Sequence, residues 1–336
     1  MTKLTRNFVT VLTGIAAACS CAAQTGAAEL WRTYLAAGAS ALEAGNLPEA
    51  ESFYTAAATQ VEHASSKEPY FTIAKYSLAA TLWEEGNQDE AIKTFKSLTF
   101  TLNPSGLSVQ TRESIDTLLT LGNHFYSAAE AKKKEVAATK LAADALQKAN
   151  DDISIKYSVA RRYYQWVYVM DRQFLPVHSS DMENIAADYG LASFYAADYP
   201  DAKEAFTDLL EIVRQSTRRQ TELSHGSMAN SLAGGSGAGP AKADLSEAAI
   251  CVLLSVSDEA IADDIAKDKP AEAVQDYAQA ESHLTAYVRD PTYGKTARTV
   301  LERLYGKHAD LLRHSGQTTQ AALLAVRAKD LQRSKD

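Results

Sequence analysis

Cysteine is nearly absent from this 336-residue chain. There are three, and two of them, Cys19 and Cys21, stand in or beside an N-terminal segment that reads as a leader. Once that leader is removed, Cys251 remains alone, so no internal disulfide and no cysteine-based metal site can form. It sits in the apolar run Ala249-Ile250-Cys251-Val252-Leu253, where packing is the expected role. Proline is scarce as well. The eight prolines fall between helices or at their starts. Apolar and polar residues do not alternate at the spacing of strands, so helix is the expected element. The longest N-terminal apolar run, Phe8 to Ala18, is too short to span a bilayer, so no transmembrane span is expected in the mature chain.

Positive charge is also in deficit. The net charge is -8, and loss of the leader with Lys3 and Arg6 makes it more negative. Nucleic acid and anionic lipid both favour basic footprints, so nucleic acid is not expected as a partner. The catalytic vocabulary is missing too. The seven histidines are scattered and form no HExxH pair, and no nucleophile elbow occurs. Gly294-Lys295-Thr296 looks like the end of a phosphate loop, but Arg289 occupies the place of the required glycine. Neither an enzyme nor a cofactor or metal site is expected.

The leader has a positive start at Lys3 and Arg6, an apolar centre, and small residues at Ala22, Ala23, Gly26, Ala27 and Ala28. This is the pattern of an export signal covering 1–28, with cleavage after Ala23 or Ala28 and a periplasmic or extracellular mature protein. An alternative lies in Ala17-Ala18-Cys19-Ser20, which resembles the end of a lipobox. It would put a lipid anchor on Cys19, with Ala16 where a larger aliphatic residue is usual.

What the chain does contain is a repeated spacing. Gly38, Gly45, Ala50, Tyr54 and Ala57 set a frame. The same steps give Ala79, Gly86, Ala91, Phe95 and Leu98, then Gly190, Ala197, Ala202, Phe206 and Leu209. They return at Ile261, Asp268, Ala273, Tyr277 and Ala280, and again at Ala309, Gly316, Ala321, Ala325 and Ala328. Small residues stand where two helices must approach closely, and the larger ones fall on the same helical face. Gly45, Gly86 and Gly316 fit the end of a first helix. Asn46, Asn87 and Asp198 can cap a second one, with Pro48, Pro200 and Pro270 near its first turn. The expected fold is all-α, built of antiparallel helix pairs. Helical blocks at 29–222 and 243–336 flank a Gly/Ser-rich insertion at 223–242 that contains "LAGGSGAGPA", and the second block continues the solenoid of the first. In the third unit the spacing suggests a second helix over 135–149 and a further, unpaired helix over 153–174.

These units resemble the tetratricopeptide-repeat family. The clearest stretch runs from Tyr34 to Leu98, in "GNLPEAESFYTAAA" and "GNQDEAIKTFKSL". The interval from Ala50 to Ala91 is 41 residues, longer than the family's usual ~34 and similar to the long repeats of the kinesin-light-chain type. The resemblance implies a tetratricopeptide-like solenoid whose first helices line a concave groove that holds a protein or peptide. Carried over residue by residue, the implied groove positions are Arg32, Leu35 and Leu42; Tyr76 and Trp83; Leu119, Asn123 and Tyr126; and Phe194 and Tyr195. Asn123, after Gly122 in "LGNHFY", stands where many peptide-binding members grip a ligand's backbone. A structural or assembly factor of the cell envelope is the alternative function, and an enzyme with an unrecognised site a remote one. The segment Arg161-Arg162-Tyr163-Tyr164-Gln165-Trp166-Val167-Tyr168 has the composition of a binding hot spot, but its apolar girth favours packing on both faces.

Overall fold

The computed structural model describes residues 27–62, 70–98, 112–174, 179–225 and 245–333. Cys19, nearly all of the leader and most of the Gly/Ser-rich insertion lie outside them. The described residues form twelve helices and no strand. In chain order these are α1 (Ala27–Glu43), α2 (Leu47–Glu62), α3 (Tyr70–Glu84), α4 (Gln88–Ser97), α5 (Arg112–Ala138) and α6 (Ala143–Phe174), followed by α7 (Ser180–Tyr195), α8 (Tyr199–His225), α9 (Glu247–Ile265), α10 (Pro270–Thr285), α11 (Gly294–His314) and α12 (Thr318–Arg333). Neighbouring helices pack as antiparallel pairs (α1 on α2, α3 on α4, α7 on α8, α9 on α10, α11 on α12), the all-α helical-repeat solenoid architecture expected from the spacing. The chain divides into two compact units between His124 and Phe125, inside α5.

Three of the tight turns share one geometry. Gly45, Gly86 and Gly316 have positive φ, at 72°, 83° and 79°. In the first, the Gly45 N–H donates to the Leu42 carbonyl at 2.9 Å and the Asn46 N–H to the Ala41 carbonyl at 2.8 Å. This pair of bonds satisfies the last free carbonyls of the helix and reverses the chain. The α7–α8 turn makes the same two bonds, from Ala197 to Phe194 and from Asp198 to Ser193. There the left-handed position is held by Ala197, at φ 60°. The α9–α10 turn differs: Lys269 N–H donates to the Ile265 carbonyl at 2.8 Å, and no left-handed residue is used. Second helices then start as expected, with Pro48, Pro200 and Pro270 in first turns and Asp198 Oδ1 accepting from the Asp201 N–H. Asn87, by contrast, makes no side-chain cap.

The repeated small residues are contact points. Ala50, Ala91, Ala202, Ala273 and Ala321 are fully buried. A Cβ added at Gly38 would come within 2.5 Å of the Tyr54 ring, and one at Gly190 within 2.6 Å of the Phe206 ring. In these two pairs the aromatic of the second helix therefore lies in the hollow left by the glycine of the first, and a larger residue there would force the pair apart.

The third pair departs from the sequence expectation. There is no helix over 135–149. α5 runs unbroken to Ala138, and α6 is one helix of 32 residues that joins the second half of the expected 135–149 helix to the segment 153–174. Two features explain it. No glycine or proline interrupts 135–174, and local pairs carry each helix across its polar stretch. Lys132 holds Glu135 at 3.0 Å, Gln147 holds Asp151 at 2.8 Å, and Lys156 holds Asp152 at 3.0 Å. The 153–174 segment thus pairs with α5 through Phe125–Tyr163 and Tyr126–Tyr157, and it packs against α7 on its other side.

That double burial settles the aromatic run. Tyr163, Tyr164 and Val167 are fully buried, and Trp166, Tyr168 and Met170 nearly so. Arg161 is held by Asp198 at 2.6 Å and Asp201 at 2.5 Å, which pins α6 to the α7–α8 turn. The run is core.

Candidate functional site

First helices of successive pairs come together around one cleft in the unit that starts at Phe125. It has a volume of about 800 Å³ and is lined by α5 (Tyr126, Ser127, Glu130, Ala131, Lys134), α7 (Leu191, Tyr195), the start of α9 (Leu245, Ala249, Val252, Leu253) and the start of α11 (Tyr293, Thr296). Helical spacing places these side chains. Tyr126, Glu130 and Lys134 follow each other at i, i+4 and i+8 on α5, and Leu191 and Tyr195 at i, i+4 on α7. A volume of this size accommodates several side chains of a ligand.

One wall is aromatic and fixed in place. Tyr157 of α6 stacks on Tyr195 with ring centroids 5.0 Å apart, and meets Tyr126 edge-on at 5.5 Å. The Tyr157 hydroxyl donates to Glu130, whose carboxylate also lies 3.5 Å from Lys133. The Lys133 ammonium sits 4.1 Å from the centre of the Tyr195 ring. This cation–π contact orients the ring while 38% of Tyr195 stays open to solvent. Burial, with Glu130 nearby, pushes the Tyr157 hydroxyl well above its ordinary pKa, so it remains a donor at all relevant pH. Lys134 reaches the cleft without a carboxylate within ion-pair distance among the described residues.

A buried acid stands behind this wall. Asp188 lies on α7, on the stripe that leads to Leu191 and Tyr195, and is 6% exposed. Burial alone pushes its carboxyl up to about 7, and no cation among the described residues offsets this. It shares its surroundings with Tyr126 and Tyr164.

The ten groove positions implied by the resemblance fall into two groups. Leu35, Leu42, Tyr76, Trp83 and Tyr126 are buried, with 9% or less of each exposed. Tyr76, for example, packs on Phe95 with centroids 5.0 Å apart. Arg32, Leu119, Asn123, Phe194 and Tyr195 keep part of their surface. Arg32 lies over the Trp31 ring at 5.7 Å. Phe194 turns into its own hairpin, against Tyr199 and Phe206. Of the ten, the structure brings Tyr126 and Tyr195 into the cleft. The residues that sequence reasoning missed are chiefly Glu130, Ala131, Lys134, Ala249, Val252 and Leu253. Glu130, Ala131 and Lys134 continue the α5 stripe begun at Tyr126, which was cut short by the helix start placed at 135; Ala249, Val252 and Leu253 lie on α9, where the resemblance carried over no groove position.

Among the described residues, no group of three or more His, Cys, Asp or Glu side chains could hold a metal ion. No described helix is long and apolar enough to cross a membrane. Cys251 is buried, and burial raises its thiol above the ordinary value, which makes it a weak nucleophile. Comparison with protein-family profiles and with curated proteins finds no match to this chain.

Proposed function

We propose that this chain is an exported, tetratricopeptide-type scaffold that holds a segment of another protein, or a peptide, in the cleft formed by α5, α7, α9 and α11. The observation that carries this reading is the cleft itself: first helices of four consecutive pairs supply its lining. Its apolar patches, from Leu191, Ala249, Val252 and Leu253, suit aliphatic or aromatic side chains. Ser127, Glu130, Lys134 and Thr296 supply polar contacts that fix a bound backbone. The reading is one of binding rather than catalysis. Glu130, the one carboxylate among the described residues of the lining, is already engaged by Tyr157 and Lys133.

The test is capture of partners by the mature chain from extracts of its host, in parallel with Leu253→Asp and Tyr195→Ala variants. Both side chains are partly exposed, so the helical signal should persist in each. A partner retained by the parent chain should be lost from Leu253→Asp, and bound about tenfold or more weakly by Tyr195→Ala, as for truncated aromatic anchors. Equal retention by all three proteins would remove the cleft from the account. Export is tested separately. The native protein should begin between Cys19 and Glu29, and an intact Met1 in the host would refute it.

A further inference from the structure

Several arginines of this acidic chain are committed to carboxylates. Arg161, Arg172, Arg214, Arg303, Arg313 and Arg333 each have one within 4 Å. Among the described residues, Arg289, Arg298 and Arg327 have none, and all three open onto the same crevice of about 400 Å³. Arg289 comes from the α10–α11 connection, Arg298 from the first turns of α11, and Arg327 from α12. Their convergence is built into the fold. The Arg298 guanidinium is held by the Val288 carbonyl at 2.5 Å, which leaves its remaining N–H groups free to face the crevice. Gly294 lets the start of α11 approach this connection, since a Cβ there would sit 3.0 Å from the Val288 carbonyl oxygen. Asp290 Oδ1 accepts from the Thr292 and Tyr293 N–H groups at 2.9 and 2.7 Å and fixes the turn.

Among the described residues, three guanidiniums face one carboxylate in this space, and that carboxylate, Asp330, leans towards Arg333 at 3.9 Å. The excess positive charge is unusual in a protein of net charge -8. The other walls are Val288, Leu331 and the Tyr305 ring, which is buried. The crevice therefore pairs an anion-binding end, suited to the forked geometry of guanidinium, with an apolar side large enough for a small organic body.

We infer that this crevice is a binding site for a small organic oxyanion, a molecule that presents a phosphate or carboxylate group to Arg289, Arg298 and Arg327 and packs its apolar part on Tyr305, Val288 and Leu331. It is separate from the cleft of the proposed function, and neither reading requires the other.

The experiment is calorimetric titration of the full chain with inorganic phosphate and, in a second series, with succinate, both at ionic strength matched with sodium chloride. One saturable site is expected for at least one of the two anions. Saturation by phosphate identifies a phosphoryl group as the recognised chemistry, and saturation by succinate alone identifies a carboxylate. Arg327→Ala and Arg289→Ala should each weaken that site by about tenfold or more while helicity is kept, since both side chains are exposed and charge-assisted bonds dominate such sites. Arg298→Lys keeps a positive charge but loses the fork, and should weaken it too. Tyr195→Ala, in the other cleft, should leave it unchanged. No saturation by either anion at about 10 mM, the range of very weak sites, would overturn the inference. So would affinities that stay the same in both alanine variants.

Discussion

The unit that starts at Phe125 buries carboxylates in two regions and treats them in opposite ways. Around α9, each acid has cations. Asp258 is fully buried, with Lys203 at 2.6 Å and His283 at 3.2 Å. Glu259 is gripped by Arg303 at 2.5 Å and Lys307 at 2.8 Å. Beside them, Glu281 and His308 pair at 2.6 Å. These contacts tie α8, α9, α10 and α11 together. Burial alone would lower the Lys203 ammonium, but its bonds to Asp258 and Asp276 outweigh that and raise it. On α7, Asp188 is buried among tyrosines with no such partner. The contrast separates framework from cleft wall. A buried ion pair is costly to break, so it fixes helix register where pairs stack. An unpaired acid costs stability at neutral pH, and the chain keeps this one directly behind the cleft.

The comparison can be broken at either side. The largest effect is expected from Lys203→Met. It leaves Asp258 buried with His283 alone, and should destabilise the chain by about 3–5 kcal/mol in chemical denaturation. Near-neutral behaviour would show that Asp258 is not held by Lys203. Asp188→Asn should act in the opposite direction. The carboxyl titrates near 3.8 when unfolded and at about 7 when folded. Between these values the native state binds the extra proton, so the stability this group confers falls as pH rises from about 4 to 7. At pH 8 the Asn variant should therefore be more stable than the parent, by roughly 2–4 kcal/mol, and at pH 4 nearly equal to it. Denaturation curves at the two pH values check this, and a destabilised variant at pH 8 would mean that Asp188 has a partner.

Smaller effects sharpen the framework side. Ala202→Leu should overpack the α7–α8 crossing and cost about 1–3 kcal/mol, because Ala202 is fully buried one turn before Phe206. Ala197→Gly should stabilise the turn between the same helices by about 1 kcal/mol, the order of the penalty that a left-handed alanine carries. Thermal denaturation of the two single variants tests both signs.

Much of this framework could be read from spacing. The small residues of the frame mark helix crossings, and the left-handed turns fall on Gly45, Gly86 and Gly316, because a glycine at a fixed distance from a buried alanine has few other uses. The same logic failed where the signal was absent. No glycine or proline in residues 135–149 marks the break between the helices, which falls at Thr139 to Ala142, so α5 and α6 were cut in the wrong place. The cleft suffered from that error. Tyr126 and Tyr195 were legible as aromatics on first helices, but Glu130 and Lys134 were lost with the end of α5. Burial of Tyr76 and Trp83 was not legible, since an aromatic on a first helix looks the same in sequence whether it faces a groove or a neighbouring helix. The arginine crevice had no local pattern at all. Its three members come from separate elements and meet only in the fold.

The cleft of α5, α7, α9 and α11 is the proposed place where a partner is held. The most direct measurement places a photo-crosslinking amino acid at Leu253, in the cleft, and in a second protein at Leu323, which is 54% exposed on α12. Each is expressed in the native host and irradiated. The expected result is a defined adduct with another protein at Leu253 and none at Leu323. Adducts at Leu323 alone, or the same adducts at both positions, would contradict it.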